Sequence, residues 1–77
     1  MITEKLIYLD RISDIELFVE NAHKVCGDVV VRRGKYVVDG KSIIGIISIN
    51  PSEGITVEYP AEETDFGVFL DTLVKKN

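Results

Sequence analysis

His23 is the only histidine of this chain and Cys26 its only cysteine, so the side chains best suited to nucleophilic or metal chemistry occur once each. One histidine cannot supply a Ser/His/Asp set or a pair of histidine ligands. One cysteine excludes both an internal disulfide and a multi-cysteine zinc site. No glycine-rich phosphate loop accompanies them. Intrinsic enzyme activity, a bound metal and a resident cofactor are therefore not expected. Both residues fall at the far end of a predicted helix, where the carbonyl dipole disfavours an anionic adduct on histidine and a thiolate on cysteine. His23 accordingly reads as a surface histidine and Cys26 as a small core residue.

The hydroxyl groups are placed differently. Ser13 stands three residues before Glu16, and Ser42 precedes an apolar run after the turn-forming Asp39-Gly40-Lys41. A serine at a helix start accepts a bond from a free backbone N–H and is worth about 1 kcal/mol over alanine. The same N–H groups would accommodate a phosphate ester, so Ser42 is both a cap and a candidate modification site.

The elements that position these residues can be read from the apolar spacing. Ile2 to Leu9 ends in Leu6-Ile7-Tyr8-Leu9 and reads as a strand. Ile15, Phe18, Val19, Ala22, Val25 and Cys26 recur at intervals of three and four, which predicts a helix from about Asp14 to Val25, capped by Ser13 and stopped at Gly27. Val29–Arg32 and Tyr36–Val38 predict a hairpin around Arg33-Gly34-Lys35. Ser42–Ile49 is apolar enough for a strand yet preceded by a cap, and its spacing alone leaves the type open. Ile55–Tyr59 alternates as a half-buried strand. Pro60 and the acidic Ala61-Glu62-Glu63 then open a helix that runs to Lys75-Lys76, with Phe66, Phe69, Leu70, Leu73 and Val74 as its buried stripe.

Length and composition bound the function. Seventy-seven residues make one domain, 1–77, and 45% apolar with 29% charged residues is the composition of a folded globule. The net charge of −4, with Arg32, Arg33 and Lys35 as the only basic cluster, argues against nucleic acid as a partner. No apolar run in the first twenty residues exceeds Leu6–Leu9, so neither a signal peptide nor a membrane span is expected, and a cytoplasmic location follows as the default.

The stretch Lys41-Ser42-Ile43-Ile44-Gly45-Ile46-Ile47-Ser48-Ile49 resembles the K-S-I-M-G-V-M-S-L signature of the HPr phosphocarrier family of the bacterial sugar phosphotransferase system. The surrounding spacing agrees: the family's first helix and hairpin fall on Glu16 to Gly40, and Val57 to Leu73 keeps the spacing of its last helix. The resemblance implies an α+β, HPr-like open-faced β-sandwich of order βαββαβα. Its four-stranded antiparallel sheet carries three helices on one side, and Ser42–Ile49 becomes a short helix. It also implies that Ser42 matches the position phosphorylated by an ATP-dependent kinase in many relatives.

The departure falls on the family's chemistry. Its G-[IL]-H-A-R-P motif is replaced by Leu9-Asp10-Arg11-Ile12-Ser13-Asp14, which places Arg11 where the phosphate-accepting histidine belongs. A guanidinium stays protonated near neutral pH and has no lone pair with which to attack phosphorus. The leading expectation is a non-catalytic, HPr-like regulatory or adaptor protein related to the phosphoenolpyruvate-dependent phosphotransferase system, with Ser42 as its switch. At about 100° per residue, Ile46 and Ile49 share one side of the short helix with Gly45, while Ile43, Ile44 and Ile47 share the other. A helix on an open sheet buries one side, so Ile43, Ile44 and Ile47, with Arg11, are the expected partner-binding residues. The expected partners are other proteins: an HPr kinase, a transcriptional regulator or phosphotransferase components. Alternatives are a phosphocarrier that accepts phosphate at a non-standard residue such as His23, and an unmodified interaction module. The oligomeric state is left open.

Overall fold

A computed structural model describes residues 1–75. Strand β1 (Ile2–Ile7) leads to helix α1 (Ile12–His23), then to the hairpin strands β2 (Val30–Arg33) and β3 (Tyr36–Asp39). Helix α2 (Ile43–Ser48) follows, then a short 3-10 turn (Pro51–Glu53), strand β4 (Ile55–Pro60) and helix α3 (Thr64–Asp71). The sheet order is β1-β4-β2-β3 with every pair antiparallel, so the last strand in sequence enters the middle. The α+β architecture expected from the sequence is the one observed.

Alternation along the strands decides which face the helices cover. On β4, Ile55, Val57 and Tyr59 are buried while Thr56 and Glu58 turn away. The register places Ile7 opposite Ile55 and Val31 opposite Val57, so one face of the sheet is continuously apolar. Ile15, Phe18 and Ala22 of α1, Ile46 of α2, and Phe66 and Leu70 of α3 close over it. Phe66 is the aromatic centre of this layer. It meets Tyr59 edge-on at 5.3 Å between ring centroids and Phe18 at 5.9 Å. The other face carries Glu4, Leu6, Val30, Arg32, Val37 and Glu58, where Arg32 Nε donates to Glu58 Oε2 at 2.5 Å.

Lys5 is the exception on the covered face, a charge among Thr3, Ile7 and the helices. Its ammonium pairs with the Asp71 carboxylate at the end of α3 and lies 3.4 Å from the Gly67 carbonyl oxygen. The bond to Asp71 holds the Lys5 pKa above its ordinary value, and the bond to Glu58 does the same for Arg32. A raised pKa contributes stability that is fully present below the unfolded value and lost only as pH rises through the folded one. Both links therefore persist through neutral pH.

Several local expectations are corrected. The N-cap of α1 is Arg11, not Ser13: the Arg11 carbonyl accepts from Asp14 and Ile15 N–H, and the Asp14 carboxylate accepts from Arg11 N–H at 3.3 Å. Guanidinium has no acceptor, so only the carboxylate half of a capping box forms, and Ser13 lies exposed in the first turn. The helix ends at His23, and Val25 takes the next core position. Cys26 is consequently exposed, with its N–H donating to Glu63 Oε2 at 3.3 Å, and is not the core residue expected. His23 is exposed as expected.

Pro60 belongs to β4, paired with Ile2, and the helix after it starts only at Thr64 behind the N-cap Glu63. A strand end needs no further ladder donor, which lets proline close it. Helix α3 stops at Asp71, where Thr72 Oγ1 donates to the Phe69 carbonyl oxygen at 2.7 Å. Lys75 lies beyond the helix, Val74 is exposed, and Lys76 lies outside the described residues. No helix among the described residues is long and apolar enough to cross a membrane.

Ile46 is fully buried whereas Ile47 is 47% exposed. Ile46→Glu should therefore bury an unpaired charge and unfold the domain, while Ile47→Glu should change stability by about 0.5 kcal/mol or less. Thermal melts of the two variants check this, and equal losses would mean that both sides of α2 are covered.

Candidate functional site

Helix α2 is built on a turn held by Asp39. The Asp39 carboxylate accepts from Lys41 N–H at 2.9 Å and its carbonyl from Ser42 N–H at 3.1 Å, which sets Ser42 in extended backbone at the N-cap. Ser42 Oγ then accepts from Gly45 N–H at 3.2 Å, and its carbonyl accepts from Ile46 N–H. The cap expected at Ser42 is present, and the hydroxyl is half-buried. Lys41 reaches the other way and donates from Nζ to the Val25 carbonyl oxygen at 3.0 Å, tying the turn to the chain leaving α1.

Gly45 brings the backbone of α2 onto β3. A Cβ built there would lie 3.2 Å from Val38 Cβ, so an added side chain would require the helix and the strand to part by a few tenths of an ångström. Ile46 and Ile49 point into the core on this side. Ile43, Ile44 and Ile47 point out, at 36, 78 and 47% exposure. The split read from helical spacing is the split observed, and Ser42 stands at the head of the exposed face.

Arg11 belongs to a different feature. Its side chain is three-quarters exposed, with Nε 3.7 Å from Asp14 Oδ2. It lines a cleft of about 430 Å³ with Tyr8, Phe69, Leu73 and Lys75, between the start of α1 and the chain that follows α3. Tyr8 N–H donates to the Leu73 carbonyl oxygen at 2.9 Å and fixes these two segments together. The sequence places Tyr8, Phe69, Leu73 and Lys75 in a strand and a helix but does not mark them as site residues, because a bond between residues 8 and 73 leaves no local signature. Ile43, Ile44 and Ile47 do not line this cleft.

The cleft offers two cationic side chains, Arg11 and Lys75, beside a carboxylate, Asp14. It can hold an anion or a polar side chain but contains no imidazole, and the Arg11 guanidinium has no lone pair with which to take up a phosphoryl. His23 stands at the opposite end of α1 from Arg11. Among the described residues there is no cluster of three or more histidine, cysteine or carboxylate side chains able to hold a metal ion.

No protein-family model matches the chain, and no curated protein matches it. Two solved structures do. The crystal structure of HPr-C-His from Thermoanaerobacter tengcongensis aligns over 96% of this chain and 90% of its own at 25% identity, with a TM-score of 0.69. That of the phosphocarrier protein HPr from Bacillus anthracis str. Ames aligns over 96 and 98% at 21% identity, with a TM-score of 0.70. A four-stranded antiparallel sheet with three helices, matched over nearly its whole length by HPr structures, gives this chain an HPr-like fold.

Proposed function

We propose that this chain is a regulatory or adaptor module related to the phosphoenolpyruvate-dependent sugar phosphotransferase system. On this reading it docks protein partners through Ile43, Ile44 and Ile47 and is switched by phosphorylation at Ser42. The observation that carries the reading is an HPr fold whose first loop, Leu9 to Asp14, has no histidine and uses Arg11 as a helix cap. A phosphocarrier needs a nucleophile there, and a protonated guanidinium is not one. The exposed isoleucines support docking, since large apolar side chains held out on one helix face mark interaction surfaces. Arg11 and Lys75 would complement an acidic rim on a partner. The partners fitting this role are phosphotransferase components, a dedicated protein kinase or a transcriptional regulator, and a cytoplasmic location goes with it.

The proposed switch has a simple chemistry. Ser42 Oγ attacks the terminal phosphorus of ATP, the new O–P bond forms as ADP leaves, and the hydroxyl proton passes to a base of the kinase. The ester would carry nearly two negative charges, and its oxygens could keep accepting from Gly45 N–H. The added charge stands at the head of the isoleucine face, where it changes what can pack there.

Incubation with radiolabelled phosphoenolpyruvate and the general phosphotransferase enzyme should leave the chain unlabelled. Acid-labile label in Leu9–Asp14, or on the exposed His23, would make it a carrier and end the adaptor reading.

Ser42→Ala should cost about 1 kcal/mol through loss of the cap, and Ser42→Asp less, because aspartate also caps. Ser42→Asp should alter partner binding, and Ile47→Glu should weaken it whatever stands at 42. Titration against a purified phosphotransferase component checks both. Binding that ignores position 47 would remove the isoleucine face from the reading.

A further inference from the structure

The two outer strands of the sheet are treated differently by the sequence. Strand β1 carries Lys5 on its covered side, a charge that discourages strand addition at that edge. Strand β3 has no lysine, proline or bulge within Tyr36–Asp39, and among the described residues no strand pairs with its outer edge, where the Asp39 carbonyl alone is taken, by Ser42 N–H. Tyr36 and Val37 are 56 and 52% exposed on it. We infer that β3 is a self-association edge, and that two copies join β3 to β3 antiparallel about a two-fold axis into a continuous eight-stranded sheet.

The backbone alternation fits. Arg33 and Tyr36 flank the two-residue connection Gly34-Lys35, where Gly34 has φ 60. The flanking pair of such a hairpin is hydrogen-bonded, so Tyr36 and Val38 turn their main-chain groups towards β2. Gly40 N–H, next in phase, donates to the Val29 carbonyl oxygen at 2.7 Å on that side. The N–H and C=O groups of Val37 therefore point outward, and so does the N–H of Asp39.

The register is set by charge. Centring the two-fold on Val37 pairs Val37 with the second copy's Val37 and Tyr36 with its Val38, and brings Lys35 of the turn to its Asp39, each in both directions. Outward-pointing groups then meet, the covered faces of the two sheets coincide, and both ends close with opposite charges. Tyrosine against valine is a favourable cross-strand pair. Centring on Val38 instead sets Val37 against Asp39 and strands Lys35. Centring on Tyr36 sets Lys35 against Val37 and strands Asp39. Asp39 uses one carboxylate oxygen for Lys41 N–H, which leaves the other for the second copy's Lys35. A seam of this length is a small interface, so the dimer forms in a concentration-dependent equilibrium. This inference is independent of the function proposed above.

Sedimentation equilibrium on the full chain, from roughly 10 µM to roughly 1 mM, should show a monomer passing to a dimer. Val37→Pro removes an N–H that has no partner within the monomer, so it should abolish the dimer while keeping the fold. Lys35→Glu should weaken association about tenfold, by turning two attractive end pairs repulsive. Adding Asp39→Asn, which keeps an acceptor for Lys41 N–H, should recover about threefold of that loss by removing the repulsion. A chain that stays monomeric throughout, a dimer that survives Val37→Pro, or a Lys35→Glu/Asp39→Asn variant no tighter than Lys35→Glu alone would overturn the proposal.

Discussion

A sheet covered on one face allows a chain of this size a single apolar layer, and every helix must reach that layer or leave the fold. Phe18 and Phe66 enter it from α1 and α3 and meet each other, with Tyr59 of the central strand edge-on to Phe66. Helix α2 is six residues long and reaches the layer only because Gly45 lets its backbone settle on Val38. The burial of Ile46 and the exposure of Ile44 are two results of that one contact. So short a helix cannot rest on propensity alone, because isolated helices of this length are unstable in water. Ser42 and Asp39 hold its first turn, and the core holds the rest.

Charges are arranged around this layer and not within it. No polar side chain is buried among the described residues. The Lys5–Asp71 and Arg32–Glu58 pairs sit at the rim and on the open face, where solvent screening limits what each contributes. Their value lies more in placement. Lys5 ties the end of α3 to an outer strand, and Arg32 separates Glu58 from a bare like-charge contact with Glu4 directly opposite. The molecule thus has apolar surfaces at α2 and at the outer strand β3, while its charged pairs lie at β1 and across β2 and β4.

A fold can be shared where a chemistry is not, because chemistry depends on particular atoms at a site. The backbone here follows HPr structures over nearly the whole chain, and the Leu9–Asp14 stretch, which holds no histidine, starts α1 at the cap Arg11. Its carbonyl and N–H serve the helix while its guanidinium faces the cleft.

The sequence by itself determined the element order and the two-sided character of α2. Period-two and period-3.6 patterns and a serine cap are local signals, and each is expressed within a few residues of where it is read. Its spacing left Ser42–Ile49 between strand and helix, and only the likeness to HPr's signature turned it to helix. Element ends were less legible. Ser13-x-x-Glu16 has the form of a cap, but the Asp14 carboxylate bonds Arg11 N–H and moves the helix start to Arg11. Cys26 continues the apolar period of α1, yet the helix has already ended, and the Glu63 carboxylate holds its N–H at the surface. Pro60 has the form of a helix opener, but pairing with Ile2 makes it the end of a strand. The cleft beside Arg11 had no local signal, since it depends on Tyr8 meeting Leu73 across the whole chain. Such outcomes are decided by partners distant in sequence, whose positions exist only once the sheet has closed and the helices have packed on it.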